Sequence, residues 1–302
     1  MYYFPEPISI FAMTLRLRLV LLATISVLCM FAATWQWLGR VQHESHIARL
    51  QDAHNHWAHA CSTLIHFLQQ ERGYSASALA NQQYDRALLQ GYRKDADAAL
   101  ANVLSHSLST SGHLLRSSLA DLSQSLSGVR TQFGNDHADW RDVRDGYTAI
   151  IARLLGVIQF ELGSRTEYGF IDSQRTLHSI AELAMAREAL GLIRATVNVI
   201  KHEDAEATRS DLSFVTSQYA LYRNHQNNFD QIADSAMRGE MQAVRSDAVY
   251  QWVISLIEAL VVSAERTRTL DPDDAWWTQA STVIDVQKTI EDKAYADLEG
   301  LT

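Results

Sequence analysis

Arginines occupy core-facing positions in two helical patterns of the sequence. In the first pattern, one arginine shares a 4-4-3-4 spacing with apolar or small residues: Leu64, Leu68, Arg72, Ser75 and Leu79. In the second, two arginines stand in a heptad pattern with a 3-4-3-4-3 spacing: Ile180, Leu183, Arg187, Leu190, Arg194 and Val197. Residues at such spacings share one helix face, so these arginines are predicted to face the protein core.

A guanidinium group inside a helical core needs an anion as its partner. Leaving it unpaired costs on the order of several kcal/mol, and arginine does not lose its proton to avoid that cost. One source of the anion is a salt bridge within the protein, for which Glu71 and Glu188 adjoin two of the arginines. The other is a small anion bound from solution, which planar guanidinium groups hold through paired hydrogen bonds.

Two glycines accompany these arginines in the same predicted helices. Gly73 directly follows Arg72, and Gly191 lies between Arg187 and Arg194. A glycine inside a helix costs roughly 1 kcal/mol relative to alanine, but it lets another helix or a small ligand approach the backbone closely. The glycines therefore favour an anion supplied from outside.

Composition excludes several classes of protein. The chain has 302 residues, of which 47% are hydrophobic and 20% charged, as in a folded protein and not a disordered one. Three prolines and thirteen glycines are too few for the turns of an all-β fold. Two cysteines rule out a disulfide framework or a cysteine-rich zinc module. The net charge of -9 argues against general nucleic-acid binding.

An uncharged apolar segment runs from Leu19 to Leu38. At a helical rise of ~1.5 Å per residue, its length matches the thickness of the hydrocarbon layer of a bilayer. It is therefore predicted to be an uncleaved transmembrane anchor, with a cleaved signal peptide and a lipoprotein signal as the alternatives. The short leader before it favours a cytoplasmic amino terminus, a single pass through a bacterial inner membrane, and a periplasmic location for the remaining chain.

The rest of the sequence has helical periodicity almost throughout. Short clusters of Gly, Ser, Asn and Asp separate the helical segments, as they do in connections between packed helices. Together with the apolar segment, these segments give eight predicted helices: 13–80, 84–104, 114–133, 139–162, 169–201, 211–236, 241–269 and 274–299. The protein is thus predicted to be all-α, with the transmembrane helix continuing into a helical domain.

No motif supports catalysis or a cofactor. The sequence has no glycine-rich phosphate loop, no dinucleotide fingerprint, no nucleophile elbow and no HExxH pair, so an enzyme is not predicted. Two histidine pairs have a metal-chelating spacing, His43 with His46 and His56 with His59. Because no cluster of carboxylates or cysteines completes a site, no metal is predicted. The Trp276-Trp277 pair is interpreted as a core or membrane-proximal anchor, not as a ligand cage.

The two arginine-containing stretches resemble the signature segments of the NIT domain family of nitrate and nitrite sensors. The first signature, L-x-x-x-L-Q-x-E-R-G-x-S-A, is matched by Leu64, Leu68, Gln69, Glu71, Arg72, Gly73, Ser75 and Ala76. The second, A-K/R-E-x-x-G-x-x-R-A, is matched by Ala186, Arg187, Glu188, Gly191, Arg194 and Ala195. Weaker matches at 126–130, 146–155 and 276–285 extend the resemblance over about residues 60–300.

The resemblance implies an all-α sensor domain of about eight helices, arranged as two packed four-helix bundles, that binds nitrate or nitrite and needs no cofactor. Arginines are the expected contacts of the anion: Arg72, Arg194, Arg130 and Arg187. Further residues are expected to orient them: Glu71, Glu188, Gly73, Gly191 and Ser75. Family members carry output modules. Because none is visible in this sequence, we expect a homodimer or a separate signalling membrane protein to carry the signal.

The predicted plan has four parts: a cytoplasmic leader at 1–18, a transmembrane helix at 19–38, a stalk at 39–60 and the sensor domain at 61–300. The predicted partners are a small inorganic anion, the lipid bilayer and the protein that receives the signal, with no nucleic acid. Anion binding would link helices that repel each other in its absence, and the first helix would then shift. The alternative is a helical scaffold that binds no ligand and presents its surface to a protein partner.

Overall fold

The computed structural model describes residues 15–81, 85–110, 113–135, 138–163, 171–202, 209–262 and 275–300. These residues form nine α-helices and no strand: α1 (Leu15–Asn81), α2 (Arg86–Thr110), α3 (His113–Phe133), α4 (Trp140–Gly163), α5 (Ile171–His202), α6 (Arg209–Ile232), α7 (Ser235–Ser246), α8 (Ala248–Val262) and α9 (Ala275–Gly300). The prediction of an all-α protein with a long first helix is confirmed.

The helix boundaries differ most from the prediction in the last third of the chain. The predicted break at 237–240 lies inside α7, and breaks occur instead on either side of that helix. Aspartates decide both positions, because Asp234 accepts from the Met237 N–H and Asp247 accepts from the Val249 N–H, each at 2.8 Å. Such side chains satisfy the first N–H groups of a helix, so α7 and α8 begin there.

Other predicted boundaries fall earlier in the chain or outside the described residues. α2 continues to Thr110, beyond its predicted end at residue 104. Ser105 does not break the helix, because its hydroxyl donates to the Asn102 carbonyl of the preceding turn at 2.7 Å. The leader before residue 15, most of the breaks at 163–169 and 202–210, and the break at 270–274 lie outside the described residues.

The chain divides into two units, Met1–Gln51 and Asp52–Thr302. In the first unit, the segment Leu17–His43 is long and apolar enough to cross a membrane, with a mean hydropathy of 2.1. Its large side chains are exposed, Phe31 by 69% and Trp35 by 70%. Exposed apolar surface of this extent is typical of a segment that contacts lipid, and this is the one candidate membrane span within the described ranges.

In the second unit, α5 is the central helix. Every residue from Ala186 to Ile200 is buried, whereas a surface helix would keep an exposed polar stripe. The earlier part of α5 packs into one apolar cluster with α1, α2, α3 and α4, and the later part packs with α6, α8 and the start of α9. Polar side chains of this stretch must therefore find their partners inside the protein.

Candidate anion-binding site

Arg72 of α1 and Arg194 of α5 each lie over a glycine of the other helix. The Nη2 atom of Arg72 is 3.2 Å from the position that a Cβ would take on Gly191. The Nη2 atom of Arg194 is 3.1 Å from the corresponding position on Gly73. Both arginines are buried, with exposures of 0% and 3%. Glycine at these positions provides the space in which both guanidinium groups lie between α1 and α5.

Arg72 is paired with a carboxylate of the protein. Both of its terminal nitrogens donate to Glu188 of α5, with 3.0 Å between Nη2 and Oε2. The Gln69 amide donates to the same carboxylate at 2.9 Å, and Arg72 Nη1 also donates to the Thr148 hydroxyl of α4 at 3.1 Å. Because the ion pair is bidentate, the charge of Arg72 is neutralised within the protein.

Arg194 has a different environment from Arg72. Its Nη1 atom donates to the Ser281 hydroxyl of α9 at 2.7 Å, and its guanidinium carbon lies 4.2 Å from the centre of the Trp277 ring. No carboxylate of the described residues forms an ion pair with it. Burial and the nearby positive charge of Arg72 lower the pKa of Arg194 to about 10, so the group remains charged at neutral pH.

The lack of an ion-paired carboxylate separates Arg194 from every other buried cation in the part of the chain that the structure describes. A carboxylate lies within 4.0 Å of each of the others: Arg72, Arg144, Arg187 and Lys288. A buried charge without a counter-charge is costly, so Arg194 is the position at which an external anion would contribute most.

Arg187 lies one heptad before Arg194 on α5 and forms an ion pair with a carboxylate. Its Nη2 atom donates to Glu291 of α9 at 2.5 Å, and both side chains are completely buried. The Ser62 hydroxyl of α1 donates to the other oxygen of Glu291, and Lys288 lies 3.9 Å from that oxygen. Arg187 therefore belongs to a polar cluster that joins α1, α5 and α9.

Arg130 of α3 meets α1 at Glu71, the neighbour of Arg72. Its Nε and Nη2 atoms donate to Glu71 at 2.7 and 2.9 Å, and its Nη1 atom donates to Asp97 of α2 at 2.7 Å. The Tyr147 hydroxyl of α4 also donates to Glu71 at 2.7 Å. Although burial opposes it, the hydrogen bonds that Arg130 donates to the two carboxylates raise the pKa of Arg130. Buried Glu71 thus connects α1, α3 and α4.

A family model described as nitrate and nitrite sensing matches residues 63–299, which is most of the chain. The chain belongs to the NIT family. A solved structure, that of the NasR transcription antiterminator, is similar to this chain with a TM-score of 0.67 and 16% identity. The similarity covers 86% of this chain and 73% of that chain, and at this identity it shows the fold alone. No curated protein sequence matches the chain.

The NIT domain brings five of the predicted site residues together between α1 and α5: Arg72, Arg194, Gly73, Gly191 and Glu188. Arg187 and Arg130 lie in separate ion-pair clusters, and the predicted orienting residue Glu71 belongs to the cluster of Arg130. Ser75 is fully buried and lies beside Tyr147. The predicted set of nine residues is therefore distributed over neighbouring clusters.

Three residues that contact Arg194 or Arg72 are missing from the prediction: Trp277, Ser281 and Thr148. Trp277 and Ser281 are four residues apart, so they share one face of α9. That spacing is visible in the sequence, but the face of α9 that meets Arg194 depends on how the helices pack. The sequence interpretation of Trp276 as a core residue agrees with its exposure of 1%.

The α9 residues that contact Arg194 are less buried than Arg194 itself. Trp277 and Ser281 are partly exposed, whereas α5 is buried on every side around Arg194. Three clefts are lined by described residues; one of about 360 Å³ borders Arg130 and Arg93, and Arg194 lines none of the three.

The described residues of this NIT-family chain contain no group of three or more His, Cys, Asp or Glu placed to hold a metal ion. One histidine of the predicted pairs instead contributes to helix packing, because His59 lies 3.0 Å from Asp292 and stacks on Tyr295 at 4.8 Å.

Proposed function

We propose that this NIT-family chain binds nitrate or nitrite at Arg194, with Arg72 as the second contact. The observation that carries the proposal is that Arg194 is a buried cation without a carboxylate partner among the described residues. Its neighbours are a hydroxyl group and an aromatic ring in place of an acid. A small anion would supply the missing negative charge.

Nitrate and nitrite suit the site by charge and by shape. The Arg72–Glu188 pair is neutral overall, and Arg194 adds one positive charge that Asp285 stabilises only from beyond ion-pair distance. That charge matches a monoanion, whereas sulfate or phosphate would bring a second negative charge into a buried site. Flat oxyanions also present their oxygens in one plane, as two N–H groups of a guanidinium group require.

Arg187 and Arg130 have structural roles in this proposal. Their carboxylate partners lie at 2.5 and 2.7 Å, and those partners, Glu291 and Glu71, are fully buried. An anion that displaced either partner would leave a carboxylate unpaired in the core, at a cost of about 3–5 kcal/mol. The proposed binding site therefore consists of Arg194 and Arg72, and the other two arginines hold the surrounding helices together.

The proposed output is a change in the position of α1. An anion held between Arg72 and Arg194 would link α1 to α5, and through Ser281 to α9. α1 runs from Leu15 to Asn81 and includes the apolar segment Leu17–His43. Anion binding would favour one packing arrangement of α1 over another, and a partner protein in the membrane would respond to the difference.

The proposed location is a bacterial inner membrane, with the amino terminus in the cytoplasm and the sensor domain in the periplasm. Support comes from the exposed apolar segment Leu17–His43 near the amino terminus. Alkaline phosphatase is active only after export, so a fusion after Thr302 tests the orientation. We expect an active fusion, and an inactive fusion made in normal amounts would overturn the orientation.

Calorimetric titration of the full chain in detergent tests anion binding. We expect nitrate or nitrite to bind, sulfate not to bind, and Arg194→Ala to abolish binding while circular dichroism shows a folded chain. Arg223→Ala changes an exposed arginine that is paired with Glu258, and this control should bind as the wild-type chain does. If the folded wild-type chain binds no anion, the proposal fails and the scaffold alternative is favoured.

A further inference from the structure

Trp277 takes the place beside Arg194 that a carboxylate takes beside the other buried cations. Its ring centre lies 4.2 Å from the guanidinium carbon, within the range of a cation–π contact. The ring also reaches α1, because its Cη2 atom is 2.7 Å from the position that a Cβ would take on Gly73. Trp277 thus contacts both helices that frame the proposed site.

The neighbouring tryptophan fixes the start of α9 against α5. Trp276 is buried, and its indole N–H donates to the carbonyl oxygen of Arg194 itself at 3.1 Å. Five residues further along α9, the Ser281 hydroxyl accepts from Arg194 Nη1. Because α9 holds both the backbone and the side chain of Arg194, the ring of Trp277 has a fixed position relative to the guanidinium group.

An aromatic ring and a carboxylate restrain a guanidinium group in different ways. A carboxylate accepts from the N–H groups at the edge of the guanidinium plane and cancels its charge. A ring attracts the cation through its face and leaves the edge N–H groups available. Anion binding needs both the charge and the edge N–H groups, and a ring beside Arg194 preserves them.

We propose that Trp277 is a positioning residue for anion binding, which holds Arg194 in place while leaving its charge and edge N–H groups to the ligand. This inference rests on the proposed function, because it assigns the anion to Arg194. The inference also predicts which anions bind, since an aromatic ring beside the site favours a flat, weakly hydrated monoanion over a strongly hydrated one.

The variants Trp277→Leu and Trp277→Phe test this role in titrations of the full chain with nitrate and with chloride. We expect leucine to weaken nitrate binding about tenfold and phenylalanine to stay within about threefold of wild type. The ratio of nitrate to chloride affinity should fall with leucine and be kept by phenylalanine. Trp252→Leu removes another partly buried tryptophan, one that packs against Trp276, and this control should leave the ratio unchanged.

A second measurement, made without any anion, separates this role from the proposed function. The loss of melting temperature caused by Trp277→Leu is compared in the presence of Arg194 and in an Arg194→Met background. A larger loss with Arg194 present supports the contact, and equal losses overturn it. If the two losses of melting temperature differ but the wild-type chain binds no anion in the titration, the contact between Trp277 and Arg194 stands and only the proposed function is overturned. Nitrate binding that is equally tight in wild type and Trp277→Leu would overturn the positioning role.

Discussion

Arg194 of α5 lies against Gly73 of α1, with 3.1 Å between its Nη2 atom and the position that a Cβ would occupy on the glycine. The relationship is reciprocal, because Arg72 lies against Gly191 of α5. Two cations therefore meet between the same two helices. Of these two, Arg72 has a carboxylate partner, and Arg194 has none within the described residues. The site thus keeps one positive charge that has no direct ion pair within the described residues and that Asp285 stabilises only from a longer distance.

Replacing Ser281 by aspartate should weaken anion binding strongly without unfolding the chain. The Ser281 hydroxyl accepts from Arg194 at 2.7 Å, so a carboxylate there would form the ion pair that Arg194 lacks. We expect nitrate affinity to fall by about tenfold or more, and the melting temperature without anion to rise or stay unchanged. Ser281→Asn has the same size without the charge, and an equal loss of affinity in that variant would show that charge is not the cause.

Alanine should be tolerated less well at Gly73 than at Gly191. A Cβ on Gly73 would lie 2.7 Å from Trp277 Cη2, whereas on Gly191 it would meet the Nη2 atom of Arg72 at the longer distance of 3.2 Å. We expect Gly73→Ala to lower the free energy of unfolding by about 1–3 kcal/mol. Gly191→Ala should change it by less than about 1 kcal/mol, because the helix propensity of alanine offsets the crowding.

Denaturant titrations of the two glycine variants measure these differences. Gly156→Ala is the matched control, since a Cβ on Gly156 of α4 meets nothing within 4 Å. That control should gain stability, by up to about 1 kcal/mol from helix propensity. Equal losses at Gly73 and Gly191 would contradict the arrangement of Trp277 and the two arginines described above.

Breaking the Arg187–Glu291 ion pair should reduce stability rather than anion affinity. Glu291→Gln leaves the buried Arg187 without a counter-charge, and we expect the free energy of unfolding to fall by about 3–5 kcal/mol. Combining it with Arg187→Met removes both charges and should restore most of that loss. Calorimetry on the folded double variant should show wild-type nitrate binding, and loss of binding would make Arg187 a contact of the ligand.

The stability of the folded chain should fall as pH decreases from about 6.5. Burial and the charges of Arg187, Lys288 and Arg194 lower the pKa of His66 to about 3, whereas the unfolded value is about 6.5. The unfolded chain therefore takes up the proton first. The contribution of neutral His66 is complete above the unfolded pKa and is lost towards pH 3, by at most about 1.4 kcal/mol per pH unit.

Urea denaturation at a series of pH values tests this dependence. His66→Gln should reduce the slope of the free energy of unfolding between about pH 3 and 6.5, since glutamine does not titrate. His178→Gln, at an exposed position of α5, is the matched control and should keep the wild-type slope. A wild-type slope in the His66 variant would show that another group is responsible.

The sequence by itself determined the fold class, the apolar segment and the burial of the central arginines. Helical periodicity is a local property, so it predicts which residues face inward, and Arg72 and Arg194 are both buried. The signature segments likewise identified the NIT family, which the match over residues 63–299 confirms. Periodicity could not reveal which aspartates begin helices, and so the boundaries of α7 were not found.

Only the tertiary structure decided which partner each arginine has. Glu71 and Glu188 both adjoin arginines in the sequence, yet Glu71 pairs with Arg130, 59 residues away, and Glu188 pairs with Arg72, 116 residues away. Arg194 meets an aromatic ring and a hydroxyl of α9 instead of an acid. The spacing of residues along a helix fixes the face on which a side chain lies, but its partner depends on how helices distant in the chain pack together.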